Sequence, residues 1–426
     1  MTTTTGRAAA PTRDGGTAAS GRRLIAALAV TATVGYGVLF YTFSVVVHPI
    51  AADLHTSTAV ITGAYTVCVL VAAAAAIPVG RYLDQRPARG IMTASAAVGA
   101  LAVVVLSQAT AVWHVYTAYV LIGLAAAASL YEAAFTVVVH QLGPVRRSSA
   151  VLTITVVGGF ASTIFIPTTG WLTHTLGWRT ALLILAGLHA ATTITGHALA
   201  VPKTGPPARR AATEQTPAAP HHPSVLRDTG FWLLAVAFVA HGTATSAVSV
   251  HLVGYLIDAG HPATTAATIA GMLGALSVTG RIATTAITRR RHITTTTAAV
   301  FGLQAAAAAA LPLVSGSIAG AVVCVALFGL GFGVGTIARP AILVDRYGTT
   351  AYGAISGTLT VPTTIAKAAA PLAAAAVANT LMPAVAVLCL IAAAAIAWAR
   401  RSFRHGVGPV APGGDRLAGG GAILPR

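Results

Sequence analysis

The sequence predicts an all-α polytopic membrane protein: twelve transmembrane helices arranged as two similar six-helix halves. Three observations carry this reading. Of the 426 residues, 56% are apolar and only 8% are charged, whereas a soluble chain carries about 25% charged residues. That is too little charge to clothe a water-facing surface. Twelve apolar runs divide the chain, most of them near the roughly 20 residues that a helix needs to cross a bilayer. When those runs are threaded back and forth with the N-terminus inside, 23 of the 26 Lys and Arg fall on the inner side. Cytoplasmic flanks collect basic residues in this way, and one miscounted helix would destroy the pattern.

In chain order, residues 1–23 are rich in Thr, Ala and Gly with four arginines and one acid, Asp14. They have no apolar centre, so they read as a disordered cytoplasmic tail and not as a secretory signal. The runs of the first half follow at 24–47, 58–79, 90–108, 112–138, 150–172 and 179–200. Residues 201–229 form a polar linker with Pro202, Pro206, Pro207, Pro217, Pro220 and Pro223, a composition that breaks regular structure. The second half runs through 230–256, 264–284, 293–313, 317–338, 352–377 and 381–399, and a cytoplasmic tail covers 400–426. The first half spans 24–200 and the second 230–399. Strands are excluded for these runs, because an open sheet cannot satisfy its backbone in lipid.

The halves also resemble each other. Val79-Gly80-Arg81-Tyr82 returns as Thr279-Gly280-Arg281-Ile282, and Leu121-Ile122-Gly123-Leu124 as Leu327-Phe328-Gly329-Leu330. The nearly constant offset argues for duplication.

Composition excludes several classes of function. The excess of 26 basic over 9 acidic residues does not indicate nucleic-acid binding, since the basic residues sit in short clusters between apolar runs. Cys68, Cys324 and Cys389 all lie inside apolar runs, so neither a disulfide framework nor a metal site is expected. No cofactor is implied. A membrane enzyme would need a nucleophile with its base, paired acids or a metal cluster, and none stands out. A sensor would need an output domain, and the tails are short and simple. No phosphate-cradling GxxxxGK[ST] loop is present, so direct ATP drive is not expected.

The charged island Gly80-Arg81-Tyr82-Leu83-Asp84-Gln85-Arg86-Pro87-Ala88-Arg89-Gly90 lies between the second and third runs. Its spacing of Gly, Asp, Arg and Arg resembles the signature loop of the major facilitator superfamily of secondary transporters. Gly177-Trp178-Arg179, at the start of the sixth run, is similar to that family as well. The resemblance implies two six-helix halves related by an axis along the membrane normal, rocking about a site near the midplane. It further implies that Gly80, Asp84, Arg86 and Arg89 form a conformational latch, in which Asp84 caps a neighbouring helix end and pairs with arginines. The other reading of that loop is a charge cluster that only fixes topology. Two features depart from the drug/proton antiporters of the family. Tyr119 stands where they carry an arginine four residues before Gly123, and the fifth run has Gly158-Gly159 and Pro167 in place of their Gly-Pro pair. Tyr36-Gly37-Val38-Leu39-Phe40-Tyr41 and Tyr131-Glu132-Ala133-Ala134-Phe135 are more similar to bacterial members near the monocarboxylate-transporter branch.

Ionisable groups inside the membrane cost about 2.5–3.5 kcal/mol each on insertion scales, so each needs a reason. Glu132 is expected roughly 9 Å before the inner end of the fourth helix. It is read either as a proton carrier or as half of a structural ion pair. Arg339, placed by the duplication at similar depth in the tenth helix, is its candidate partner, a candidate ligand for a solute carboxylate, or a basic flank. Lys367, between Pro362 and Pro371, is expected in an interrupted eleventh helix, where it would attract an anion. His241 joins Glu132 as a candidate for proton coupling, with a structural role as the other reading. Tyr36 and Tyr41 are candidate cavity hydroxyls. Gly331 and Gly335 have the spacing of close helix packing.

The expected function is therefore secondary active transport of a small organic solute, proton-coupled, with an anionic or carboxylate-bearing solute favoured. The alternative is a proton-driven drug or metabolite efflux pump; a non-transporting sensor is remote. The expected partners are the solute, protons and the lipid bilayer, with no nucleic acid, and a monomer in the plasma membrane with both termini cytoplasmic.

Overall fold

The computed structural model describes residues 14–204, 225–375 and 380–405. Among these residues the regular structure is entirely helical. The first half comprises α1 (Ser20–Asp53), α2 (Thr58–Gln85), α3 (Ala88–Ser107), α4 (Val112–Gln141), α5 (Arg146–Leu176) and α6 (Trp178–Ala200). The second comprises α7 (Thr229–Asp258), α8 (Thr264–Ile287), α9 (Ile293–Val314), α10 (Ile318–Tyr347), α11 (Tyr352–Ala375) and α12 (Leu381–Arg401). Eleven of these helices are long and apolar enough to cross a membrane. The other, α11, has 24 residues and carries Lys367 and a series of hydroxyl side chains.

Helix ends follow local chemistry. Ser57, Asp228 and Ser317 each accept a backbone N–H of the turn that follows, the usual N-cap arrangement. Gly177 and Gly348 take φ of 79° and 73°, which a side chain would resist, and so separate α5 from α6 and end α10.

Several expectations are corrected. Helix begins at Asp14, inside the stretch expected as a disordered tail, because the helix of the first apolar run extends back through residues that include Ala18 and Ala19, good helix formers. Helix also continues past Arg400 to His405, because Ala and Arg are good helix formers. The rest of both tails, and most of the linker expected at 201–229, lie outside the described residues. The fourth helix reaches Gln141, three residues beyond the expected end, and is broken at Leu130, whose φ and ψ are −97° and −154°. The eleventh helix, expected to be interrupted, runs unbroken through Pro362. Close packing holds it in one piece: a β-carbon at Gly357 would overlap the Ala76 carbonyl, and Gly242 lies against the Lys367 stem. Neighbouring helices of this kind make proline tolerable in membrane helices. The breaks occur elsewhere. A π-turn at Gly37–Tyr41 interrupts α1, and α5 and α10 break at Phe160 and Gly333.

The cores show how the halves meet. One core draws Leu28, Phe135 and Ile154 of the first half together with Phe231, Ile342 and Leu359 of the second. It lies on the side that carries the α2–α3 loop, called the loop side here. Toward the opposite face the core divides. One part holds only first-half residues, such as Ile61, Ile122 and Leu182. The other holds only second-half residues, such as Leu256, Leu311 and Val385. The halves are thus joined on the loop side and have separate cores beyond it.

Candidate functional site

Where the shared core ends, a cavity of about 310 Å³ opens between the halves. That is within the usual range for small-molecule sites. It is lined by α1, α2 and α4 on one side and by α7, α10 and α11 on the other. The two walls differ. The first-half wall is alanine and aromatic, with Tyr36, Phe40, Tyr131 and Phe135. Tyr36 and Tyr131 have ring centroids 4.6 Å apart, and Tyr131 stacks on Phe135 at 5.3 Å. The second-half wall is polar, with His241, Thr336, Arg339, Thr360, Thr363 and Lys367.

Glu132 and Arg339 meet across the seam. Arg339 Nη2 pairs with Glu132 Oε1, and Ser356 Oγ donates to Glu132 Oε2 at 2.8 Å. The other guanidinium nitrogen, Arg339 Nη1, donates to Thr360 Oγ1 at 3.3 Å. The carboxylate of the first half is therefore held by two groups of the second. The break at Leu130 sets this up, since Glu132 lies in the first turn of the helical segment that restarts at Tyr131.

His241 is buried in the second half. Gln304 Nε2 donates to the Phe328 carbonyl at 2.9 Å. That leaves Gln304 Oε1 to accept from His241 Nε2 at 3.0 Å. The imidazole stacks on Phe301 with centroids 4.0 Å apart. The glycines of α10 make room for this pair. A β-carbon at Gly331 would overlap the Gln304 side chain, and one at Gly335 would crowd His241 Nδ1 at 3.2 Å.

Lys367 passes Gly242 and reaches the cavity, where it is exposed. Its ammonium has no hydrogen-bond or ion-pair partner among the described residues, in contrast to Arg339. Tyr36 lines the cavity as expected of a candidate hydroxyl, but Tyr41 does not. Tyr41 lies at the end of the π-turn of α1, 36% exposed; Phe40, four residues after Tyr36, takes the place on the cavity face.

The loop residues sit at one seam of the loop side. Gly353 N–H donates to Asp84 Oδ1 and Ala354 N–H to Asp84 Oδ2, each at 2.8 Å. The carboxylate thus caps the start of α11, where the helix dipole favours negative charge. Its ionisable neighbour is His140, with Nε2 3.3 Å from Asp84 Oδ1 and 2.9 Å from the Thr349 carbonyl. The arginine pairing implied by the resemblance is not what the geometry shows. Arg89 donates to the Val201 and Leu199 carbonyls at 2.6 and 3.3 Å, and Arg86 lies over the Tyr82 ring. Both are drawn to carbonyls and rings at their own end of the first half, whereas the carboxylate faces the second. Gly80 allows the approach, since a β-carbon there would overlap the Gly353 carbonyl.

Sequence reasoning missed Tyr131, Gln304, Ser356 and Thr360 as parts of this site. A family model described as Major Facilitator Superfamily matches residues 28–371. No curated protein sequence matches the chain. Among solved structures, a bacterial homologue of the iron transporter ferroportin in an outward-facing state is 14% identical, with a TM-score of 0.70, over 91% of this chain and 98% of that one. The human organic anion transporter MFSD10 is 15% identical, with a TM-score of 0.66, over 90% and 99%. The E. coli fucose:proton symporter FucP is 13% identical, with a TM-score of 0.66, over 89% and 98%. At these identities the likeness is one of fold.

Proposed function

The chain belongs to the major facilitator superfamily, and we propose that it is a proton-coupled carrier of a small organic solute bearing a carboxylate and an apolar body. The observation that carries the solute class is Lys367. It is a cation without a partner among the described residues, facing a cavity whose opposite wall is aromatic. A carboxylate would sit against Lys367 and the threonines of α11, with an apolar body on Tyr36, Tyr131 and Phe135. The similarity in fold to an organic anion transporter agrees with this reading and does not carry it.

Coupling falls to Glu132. Its bonds to Arg339 and Ser356 join the halves on the loop side. They must break for that side to open. A protonated carboxyl holds a guanidinium far less strongly than a carboxylate does. Proton uptake at Glu132 therefore loosens the seam and frees Arg339 to face the bound solute. His241 is engaged by Gln304 and stands as a support for the second-half wall. With the loop side cytoplasmic, the conformation described here is open outward, and the cycle is symport. Asp84 on the start of α11 would act as the latch of this state. The chain would work as a monomer in the plasma membrane with both termini inside.

A solute screen on the purified chain tests the class. Aromatic and aliphatic carboxylates should raise Tm, and their amides should not. Lys367→Gln should remove the distinction, with about tenfold weaker carboxylate binding for the loss of one charge-assisted contact. Equal stabilisation by acid and amide in the unaltered protein would overturn the anionic-solute reading.

A further inference from the structure

On the loop side a second cavity of about 320 Å³ lies between α5 of the first half and α8, α9 and α10 of the second. Arg147 and Ser148 line it from one half; Thr288, Arg291, His292 and Asp345 line it from the other. Its charges do not balance within the protein. The one acid, Asp345, is paired with His292, whose Nε2 lies 3.4 Å from Asp345 Oδ2. Arg147 donates through Nη2 to the Val139 and Leu142 carbonyls at 2.9 and 3.2 Å, which fixes its position. Its Nε is buried and has no partner. Arg291 is exposed, with no side-chain partner among the described residues. Two guanidiniums thus border a hollow whose one carboxylate, Asp345, is paired with His292 and with neither of them, while Val151 and Ile337 give it an apolar wall.

The duplicated architecture sharpens the point. At the other seam of the same side, Asp84, four residues after Gly80, fills the gap between halves with its carboxylate. Four residues after Gly280, the repeat carries Thr284. One seam is closed by its own carboxylate, and the other leaves a cavity in which two guanidiniums face a single, His292-paired acid.

We propose that this second cavity binds a phosphate-class oxyanion, free or as a lipid headgroup, through Arg147 and Arg291. Guanidinium matches such an anion with paired, charge-assisted hydrogen bonds. The walls come from both halves, so the bound anion acts as a staple that favours the conformation joined on the loop side. A ligand shifts such an equilibrium only by its differential affinity for the two conformations, and this site is assembled in one of them. The inference does not depend on the solute of the central cavity.

The test uses the full chain with spin labels on cysteines replacing Gln85 and Thr350, both exposed and at the other seam; the native cysteines are buried. In phosphatidylcholine nanodiscs, inorganic phosphate should increase the short-distance population if the source is a free anion. Replacing phosphatidylcholine with phosphatidylglycerol, without phosphate, should do so if the source is a headgroup. Either response supports the site, provided Arg291→Gln weakens it by about tenfold, the loss expected for a hydrogen-bonded charge pair. Ser148→Asp, at an exposed position, should favour the short distance without any ligand and abolish the response. No response in either arm, or an equal response from Arg291→Gln, overturns the proposal.

Discussion

Glu132 and Arg339 show what a single residue reveals in a chain with so few charges. An acid within an apolar run stands out at once, and the duplication places Arg339 at similar depth opposite it. The partners Ser356, Thr360 and Gln304 were not legible. Hydroxyl residues are abundant in these helices, where most simply bond the carbonyl one turn back, as Thr358 and Thr363 do. Nothing in the sequence separates Ser356, which reaches across a seam, from those that do not. Tyr36 and Tyr41 are five residues apart and do not share a helix face; Tyr36 and Phe40, four apart, line the cavity. The pair itself yields a prediction. Glu132→Gln keeps the shape and one acceptor but cannot carry a proton, so proteoliposomes with this variant should lose accumulation driven by a pH gradient. Exchange of labelled for unlabelled solute should continue. If the pair were only structural, Glu132→Gln would leave a stranded guanidinium and lower Tm, and adding Arg339→Gln would restore it. Full accumulation by a stable Glu132→Gln protein sinks the coupling role.

At the scale of elements, the twelve helices were legible because bilayer crossing demands length, apolarity and flanking charge, all of which are written locally. Their interruptions were not. Prolines at 362 and 371 suggested a broken α11, yet packing against α2 and α7 keeps that helix whole. The breaks at Leu130 and Gly333 carry no proline; tertiary contacts place them, such as Arg281 Nε donating to the Gly333 carbonyl at 3.2 Å. Asp84 was legible as part of a loop motif, and the resemblance implied a cap on a neighbouring helix end; that this end is the start of α11 came only from the structure. Asp84→Asn retains one acceptor and loses the charge that two backbone N–H groups share. Hydrogen bonds to a charged group are worth about 1.5–3 kcal/mol, so the joined conformation should become roughly tenfold less favoured. The protein should remain folded in the membrane, with transport reduced and the distance between labels at residues 85 and 350 lengthened. Unaltered transport and distance would reduce the loop to a topology signal.

For the whole molecule, the arrangement of cores defines a direction. The shared core, the Asp84 cap and the Glu132 pair all lie on the loop side of the central cavity. Arg281 adds a further tie there, with Nη1 donating to the Thr155 carbonyl of the first half at 2.7 Å. Beyond the cavity each half keeps its own core, and Lys367 is exposed. The sequence places basic residues on the loop side, and the positive-inside rule carries the proposal that this side is cytoplasmic. With that orientation, the arrangement of the cores predicts how reagents reach the cavity. Thr364 lines it one turn from Lys367. In intact cells a cysteine at Thr364 should react with an impermeant thiol reagent. A cysteine at Gln85, in the loop, should react only in inside-out vesicles. A carboxylate solute that binds the purified chain should protect position 364 and leave position 85 untouched. Asp84→Asn, by loosening the loop-side seam, should slow labelling at 364 from outside and raise it from inside. The native cysteines are buried, so the background should be low. Labelling of Gln85→Cys in intact cells would invert the topology; labelling of Thr364→Cys only in inside-out vesicles would place the open face on the loop side and contradict the arrangement of the cores.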